Sequence, residues 1–157
     1  MSQLPIDLQR YLDTHQDLTQ AINGLNEEAL KWKQAPNSWS VTEVLSHLAD
    51  HNLIVSFRLR DILADTTAVL PAFDQDLWVS GAYANEGSAE DILHVFQALL
   101  VYNSLLFKRL TDADWVKTGV NKKGETVTVK QIVDSFSDHV HRHIGQIDRI
   151  KTAYTKL

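Results

Sequence analysis

Apolar residues recur with the period of an α-helix in four long segments of this chain. The segments run from about Pro5 to Asn23, from Ser40 to Leu63, from Ser88 to Leu110 and from Val129 to Tyr154. Apolar residues spaced three and four positions apart lie on one face of a helix, and that face has to be buried against another element. The pattern therefore predicts four amphipathic helices that pack on one another.

The ends of these segments carry residue types that favour helix termini. Gly24 follows the first segment, and Ser40, Ser88 and Thr128 lie at the starts of the other three. Serine and threonine side chains accept hydrogen bonds from the free N–H groups of a first helical turn. Glu43 follows Ser40 by three residues, which is the spacing of a capping box. These residues set the predicted helix boundaries.

A linker of about twenty residues, 66–87, separates the second and third helices. A connection of this length is unusual in a compact bundle, and it is usually functional or packed over another part of the fold. It carries four aromatic or apolar anchors, Leu70, Phe73, Trp78 and Tyr83. We expect the linker to cross one end of the bundle, which makes Trp78 and Tyr83 the candidates for a pocket wall.

The remaining regions lack helical periodicity. Residues 119–129 predict a turn with a short extended piece, and the acidic residues at 27–28 and at 112 and 114 are predicted to lie in solvated turns. No internal repeat divides the chain. We therefore predict one domain, 1–157, of the all-α class: a four-helix antiparallel bundle with a long crossing loop between the second and third helices.

Composition limits the classes of function. The chain has 157 residues, 44% of them apolar and 22% charged, as in an ordinary globular domain. A net charge of −5 without a basic run argues against a nucleic acid as partner. No apolar run approaches the length of a membrane span, and no secretory signal is recognisable. The absence of cysteine excludes thiolate metal sites and disulfides, and it fits the expected cytoplasmic location.

Three histidines fall within five positions of the last predicted helix. His139 and His143 are four residues apart, so their side chains lie one turn apart on one face. At 100° per residue, His143 falls inside the apolar arc of this helix and His139 at its edge, whereas His141 lies on the opposite face. Two inward imidazoles can bind one transition-metal ion, and His47 on the second helix is the candidate for a third ligand.

Other residues of the second helix lie near His47 on the predicted helix surface. His51 is one turn further on, and Arg58 lies two turns beyond it on the same flank of the apolar arc. Residues on such a flank either line a pocket between helices or form the boundary of the core. The histidines themselves are either metal ligands or hydrogen-bonded core residues. Three neutral imidazoles suit Zn²⁺, Ni²⁺ or Fe²⁺. Arg58 has two alternatives as well, binding an anionic substrate group or forming a surface salt bridge.

Carboxylates are candidates for hydrogen bonds to the ligand rings. Glu43, Asp50 and Asp138 lie close to the three histidines along the chain. A metal-bound histidine usually donates its second ring N–H to such a group.

Four strings of this sequence resemble motifs of the DinB-like (YfiT-related) metalloprotein superfamily. W-S-V-T-E-V-L-S-H-L-A-D, residues 39–50, resembles the second-helix motif, and H-V-H-R-H-I-G-Q-I, residues 139–147, resembles the H-x-x-x-H-x-x-Q-I of the last helix. Between them, P-A-F-D-Q-D-L-W and K-K-G-E-T-V-T-V-K-Q-I resemble the linker and the approach to the fourth helix. The resemblance spans about residues 30–150 in the expected order.

This resemblance implies a four-helix bundle, commonly dimeric, with a divalent metal on His47, His139 and His143. Gln146 matches the glutamine of the motif, and the resemblance implies a role for it in supporting the ligands or the local structure. His51 is not a ligand position in the pattern. Because it is one turn from His47, it is expected either to line the pocket or to replace a ligand.

The resemblance implies two functional hypotheses. The superfamily includes transferases and isomerases that use a low-molecular-weight thiol such as bacillithiol or mycothiol, and also hydrolases. The first hypothesis is an enzyme whose metal activates a thiol or water for attack on a small electrophilic substrate, in a pocket that includes Trp78 and is covered by residues 66–87. The alternative is a non-catalytic, dimeric binding module with a structural or vestigial metal site.

Overall fold

The computed structural model describes residues 3–66 and 69–157, so Met1, Ser2, Thr67 and Ala68 of the predicted domain and linker lie outside the described residues. The long helices are α1 (Leu8–Ala21), α3 (Val41–Leu63), α5 (Ala89–Phe107) and α7 (Val129–Thr155). The shorter elements are α2 (Glu27–Lys31), α4 (Gln75–Gly81), a 3-10 turn (Ala84–Glu86), α6 (Asp112–Trp115) and the strands β1 (Thr118–Val120) and β2 (Thr126–Thr128). No helix in these described ranges has both the length and the apolar content needed to cross a bilayer.

The four predicted helices are confirmed, and their caps explain the observed ends. Ser40 Oγ accepts from the Glu43 N–H, and Glu43 accepts from the Ser40 N–H, both at 3.0 Å. Thr128 caps α7 in the same reciprocal way. The first helix begins at Leu8, later than predicted, because the Asp7 side chain rather than Pro5 starts its first turn.

Three short elements differ from the predictions. The acidic pairs predicted to lie in turns belong instead to α2 and α6, which are capped by Asn26 and Thr111. The predicted extended piece at 119–129 is confirmed as an antiparallel hairpin in which Gly119 pairs with Val127. Helix α4 and the 3-10 turn lie inside the linker that had been predicted as a loop.

Helices α3 and α5 lie side by side and run in the same direction. Asn52 Nδ2 donates to the Phe96 carbonyl, and one turn later Ser56 Oγ accepts from Asn103 Nδ2. Two parallel neighbours cannot be joined by a short turn, because the chain has to return along the whole bundle. This direction is the physical reason for the long connection.

Helix α7 completes the bundle from the opposite direction. Its histidines contact α3 in reverse order, since His47 lies beside His143 and His51 beside His139. Helix α1 runs parallel to α7, and Lys151 Nζ donates to the carbonyl of Ala21. The predicted four-helix bundle is confirmed, and its antiparallel neighbours are α3–α7 and α1–α5.

Residues 69–87, here called the strap, run along α3 from its C-terminal end to its N-terminal end. At the first end the Leu70 N–H donates to the Val120 carbonyl at 2.9 Å. At the other end Asn85 accepts from Ser40 Oγ, and its carbonyl accepts from Lys31 Nζ at 2.7 Å. The prediction that the linker crosses one end of the bundle is therefore wrong, because the parallel arrangement of α3 and α5 requires a longitudinal path.

The core fills the space enclosed by the four long helices. The largest side chains less than 2% exposed are aromatic or aliphatic and include Phe96, Phe107, Phe136, Leu18 and Leu45. His47 is also among these fully buried side chains. Burying an imidazole in such surroundings is costly unless its nitrogens find partners, so the position of His47 calls for an explanation.

Candidate metal centre

Helices α3 and α7 bring His47, His139 and His143 together. One ring nitrogen from each lies within 4.8 Å of the others. The Nε2 of His139 is 3.4 Å from that of His47 and 3.1 Å from that of His143. Two nitrogens bound to one ion at about 2.0–2.1 Å lie roughly 2.9–3.4 Å apart, for bond angles between a right angle and the tetrahedral angle. The spacing of these nitrogens fits metal ligation.

The histidines of this centre are held neutral. Burial lowers the pKa of His47 to about 4, with a further contribution from His143. Burial also lowers the pKa of His139 to about 2, assisted by the neighbouring rings, and it lowers the pKa of His143. A metal ligates the unprotonated nitrogen of imidazole. The centre therefore presents lone pairs rather than charges at neutral pH.

Gln146 orients one of the three rings. Its Oε1 lies 2.7 Å from His143 Nδ1, so the ring donates its N–H there and keeps the Nε2 lone pair directed at the other histidines. The Nδ1 atoms of His47 and His139 are buried and have no hydrogen-bond partner in the described part of the chain. Only one of the three rings is thus fixed by a side-chain acceptor.

The carboxylates considered from the sequence do not reach these rings. Glu43 is engaged by its cap and lies 3.4 Å from Lys33 Nζ. Asp138 pairs with Arg10 at 2.8 Å on the α1 side of α7. Asp50 forms no hydrogen bond with another described side chain, and burial raises its pKa. The reason is geometric, because Asp138 faces α1 and Glu43 faces its own helix terminus.

His51 forms part of the wall next to the centre. Its ring centroid is 3.9 Å from that of His139, and its ring stacks on Phe136 with an interplanar angle of 12°. It does not belong to the three-nitrogen group. Burial, followed by the influence of His47 and Arg58, lowers the pKa of His51 to about 3. Of the two alternatives, the structure favours a pocket residue over a ligand.

Two aromatic side chains border the centre and were not assigned to it from the sequence. The Phe73 ring of the strap lies 5.9 Å from that of His47 and is stacked on it. The Trp39 ring lies 5.1 Å from that of His47. Trp78 lies behind Phe73, with ring centroids 5.0 Å apart. Tyr83 is 71% exposed and forms no wall, so its predicted role is wrong because the strap runs lengthwise.

Arg58 holds the strap against α3. Its Nε and Nη2 donate to the Pro71 carbonyl at 2.9 and 2.7 Å. This contact differs from the predicted surface salt bridge, and the other alternative, binding of an anionic substrate group, stays a prediction. His141 lies outside the centre as predicted, although it packs against α1, where its Nε2 is 3.0 Å from Asp17.

Two cavities reach the centre from different sides. One of about 410 Å³ lies beside the β1–β2 hairpin and is lined in part by His51 and His139. The other, of about 480 Å³, is lined in part by Trp39, His143 and Gln146. Together with the three nitrogens, these cavities give the arrangement of a metal centre accessible to small molecules.

A helical bundle with a three-histidine group between its helices defines a class of metalloprotein. The sequence matches the DinB superfamily over residues 10–147, and the chain belongs to that superfamily. Among its relatives is a protein of Oceanobacillus iheyensis, 26% identical over 130 residues, which cover 83% of this chain and 75% of that protein. A second is YfiT of Bacillus subtilis, 22% identical over 134 residues, which cover 85% and 75%. Both are provisionally named metal-dependent hydrolases.

Solved structures show the same fold. The structure of YfiT, described as having an unusual four-helix bundle topology, matches with a TM-score of 0.86 at 20% identity. The match covers 99% of this chain and 93% of that one. A mycothiol-dependent maleylpyruvate isomerase matches with a TM-score of 0.69 at 10% identity, over 90% of this chain and 61% of that one. At these identities the likeness concerns the fold.

Proposed function

We propose that this chain is a metal-dependent enzyme acting on a small electrophilic substrate. A divalent ion, Zn²⁺, Ni²⁺ or Fe²⁺, would be held by His47, His139 and His143. Such an ion lowers the pKa of a bound water or thiol and so supplies a nucleophile near neutral pH. The observation that carries the proposal is the convergence of three neutral ring nitrogens within 4.8 Å of one another, with the Nε2 of His139 at 3.4 Å from that of His47 and 3.1 Å from that of His143.

The protein side chains have separate tasks in this proposal. Gln146 fixes the ring of His143 through its Nδ1–H, and Phe73 and Trp39 cover His47 with apolar surface. Apolar cover excludes bulk water and strengthens the electrostatic interactions inside the centre. The two cavities admit the substrate and any co-substrate, such as a low-molecular-weight thiol.

Hydrolysis and thiol transfer are both compatible with this chemistry. The names of the relatives favour a hydrolase, and the mycothiol-dependent isomerase favours a thiol as nucleophile. Hydrolysis and thiol transfer would use the same metal centre. They would differ in the nucleophile, which is water in hydrolysis and a thiol in thiol transfer.

One observation favours the alternative of a non-catalytic binding module. Two ligand rings lack an acceptor for their Nδ1, and no described carboxylate contacts the rings as a general base would. Under this alternative the metal ion would have only a structural role, or the site would have lost its ability to bind an ion during evolution. Under this alternative, ligand binding is independent of the ion.

The test is elemental analysis of untagged protein, purified without a chelating column. We expect about one Zn, Ni or Fe per chain in the wild type and in His141→Ala, and little in His47→Ala or His143→Ala. Loaded protein is then assayed with ester substrates in water and with electrophiles plus bacillithiol or mycothiol. A wild type that binds no ion even after reloading with Zn²⁺, Ni²⁺ and Fe²⁺ would contradict the enzyme proposal.

The assembly and location of the protein are also proposals. We propose that residues 1–157 act as one bundle domain in a cytoplasmic homodimer, with neither a nucleic acid nor a membrane as partner. Exposed apolar side chains on the neighbouring helices α3 and α5 support the dimer, namely Leu53, Phe57, Val95, Val101, Tyr102 and Leu105. Unpaired apolar surface of this kind favours association with a second copy.

A further inference from the structure

The cavity beside the hairpin concentrates positive charge in an acidic protein. The chain carries 20 acidic and 15 basic residues. Yet four cationic side chains line this cavity, and among the described residues lining it Glu125 alone is acidic. The four are Arg58, Arg142, Lys122 and Lys123.

Three of these cations are not neutralised by the protein. Lys122, Lys123 and Arg142 form no ion pair with any described carboxylate, and all three are exposed. An anion entering the cavity would therefore meet positive potential along its path.

Asn121, Gln131 and Ser135 also line the cavity, and a large part of its wall is apolar. The apolar part is formed by side chains from α3, the strap, β2 and α7, namely Val55, Leu70, Ala72, Val127, Ile132 and Phe136. A volume of about 410 Å³ is within the range of small-molecule sites. At its inner end lie His51 and His139, the second of which belongs to the three-nitrogen group. The cavity thus combines a cationic rim, an apolar wall and contact with the centre.

We infer that this cavity binds a small amphipathic anion, with an apolar body and one or two carboxylate or phosphate groups, as the substrate or co-substrate of the metal centre. The anionic group lies against Arg142, Lys122 and Lys123 at the rim, and the apolar body extends toward His139. The role as substrate site rests on the proposed function, whereas the binding preference does not depend on the ion.

The binding preference is tested on the metal-free full-length chain with two fluorescent probes. One is 8-anilinonaphthalene-1-sulfonate, and the other is N-phenyl-1-naphthylamine, which has the same ring systems without the sulfonate. Titrations at low ionic strength should show that the sulfonate binds more tightly than the neutral probe. Added NaCl should reduce this difference in affinity, because at 0.1 M salt screens exposed charges over about 10 Å. Equal affinities for the two probes would overturn the inference.

Charge removal locates the effect. Lys122→Gln/Lys123→Gln/Arg142→Gln should weaken sulfonate binding roughly fivefold or more and leave the neutral probe unaffected. The matched control removes the same charges outside the cavity, in the variant Lys108→Gln/Arg109→Gln/Lys156→Gln. If the control variant weakened sulfonate binding as much as the cavity variant, the loss would result from the change in net charge alone. That result would overturn the inference.

A third variant shows whether the probes occupy the cavity. Ser135 is exposed and lines it, so Ser135→Trp should obstruct the cavity and weaken both probes. Unchanged binding would mean that the probes bind elsewhere, for example on the apolar face of α3 and α5, and would contradict the assignment.

Displacement of the bound sulfonate identifies the anionic group. Benzoate or phenylphosphate should displace it, and whichever does so at lower concentration distinguishes a carboxylate from a phosphate ligand. Benzyl alcohol is the neutral control. Equal displacement by benzyl alcohol, or failure of both anions to displace the sulfonate, would contradict the inference.

Metal content is measured on the same samples. Anion selectivity without a bound ion after reloading overturns only the proposed enzyme, whereas a bound ion without selectivity overturns only this inference.

Discussion

Gln146 is the side chain on which the orientation of His143 depends most directly. Gln146→Leu removes the acceptor of the 2.7 Å hydrogen bond, and the ring can then rotate or adopt the other tautomer. We expect a loss of about tenfold in zinc affinity, since partners of this kind contribute roughly 10–100-fold. Competition with a chromophoric chelator measures the affinity. Gln146→Glu keeps an acceptor and should restore binding, and equal affinities of wild type and Gln146→Leu would show that packing alone holds the ring.

The buried histidines predict how the stability of the metal-free protein depends on pH. Above a pH of about 6.5, these histidines are neutral in both the folded and the unfolded chain. As the pH falls toward the folded-state pKa values of about 4 for His47 and 3 for His51, only the unfolded chain takes up protons. The free energy of unfolding should therefore decrease, by up to about 1.4 kcal/mol per pH unit for each proton.

Urea denaturation at pH 7, 6 and 5 measures this dependence. His51→Phe, which keeps an aromatic ring against Phe136, should show a smaller decrease in stability on acidification than the wild type. A constant offset between the two proteins at every pH would report only altered packing, and it would contradict the assignment of the slope to His51.

At the residue scale, the sequence predicted what local geometry determines. The four-residue spacing of His139 and His143 is a property of one helix, so their common face was predictable. The contact of Phe73 with His47 joins two elements distant in the chain, and no spacing encodes it. The hydrogen bonds of Arg58 to Pro71 depend in the same way on the path of the strap.

At Gly119 the hairpin lies in close contact with the strap and α3. A Cβ at this position would lie 2.8 Å from Ile62 Cγ1 and 3.0 Å from Leu70 Cδ1, and both side chains are buried. Gly119→Ala should therefore lower the free energy of unfolding by about 1–3 kcal/mol through overpacking. Urea denaturation provides the measurement.

The control for this prediction is Gly81→Ala at the end of α4. A Cβ there would meet no atom within 4 Å, so its stability should equal or slightly exceed that of the wild type. If Gly119→Ala were as stable as Gly81→Ala, the side chains around Gly119 would be able to shift and accommodate the methyl group without loss of stability. That result would contradict the prediction.

At the scale of elements, length decided which of the helices could be predicted. Helices α3 and α7 extend over many turns, and their apolar periods and caps define them from sequence. Helices α2 and α6 have five and four residues, too few for a period to be recognised. The sequence also contains no local signal for the direction of α5 relative to α3, because direction depends on the whole packing arrangement.

The apolar side chains exposed on α3 and α5 predict self-association of the whole molecule. Phe57 is 55% exposed on α3, and Phe57→Glu should shift a dimer toward monomer by placing a charge in the interface. Leu77→Glu is the matched control, since Leu77 is 67% exposed and belongs to α4 rather than to α3 or α5. Sedimentation velocity over a concentration series measures the state. A wild type that remains monomeric at every concentration would refute the dimer.

The charge distribution of the molecule could not be predicted from its total. Lys122 and Lys123 lie in the hairpin, Arg58 on α3 and Arg142 on α7, and each is an ordinary surface position when its own element is considered. Only the packing of these three elements around one cavity brings the cations together. A net charge of −5 argues against a large basic surface, but it carries no information about a local cluster.

The distance along the chain between the proposed metal ligands has a consequence for biosynthesis. His47 and His139 are 92 residues apart, so a ribosome moving at about 5–20 residues per second makes the second roughly 5–18 s after the first. The strap is translated within that interval, before His139 and His143 of α7. The strap, whose Phe73 covers His47, is therefore synthesised before all three histidines of the proposed centre are present. If the proposed ion binds afterwards, it would reach the three histidines through one of the two cavities that border them, and metal acquisition would then be a step of maturation that depends on the metal available in the cell.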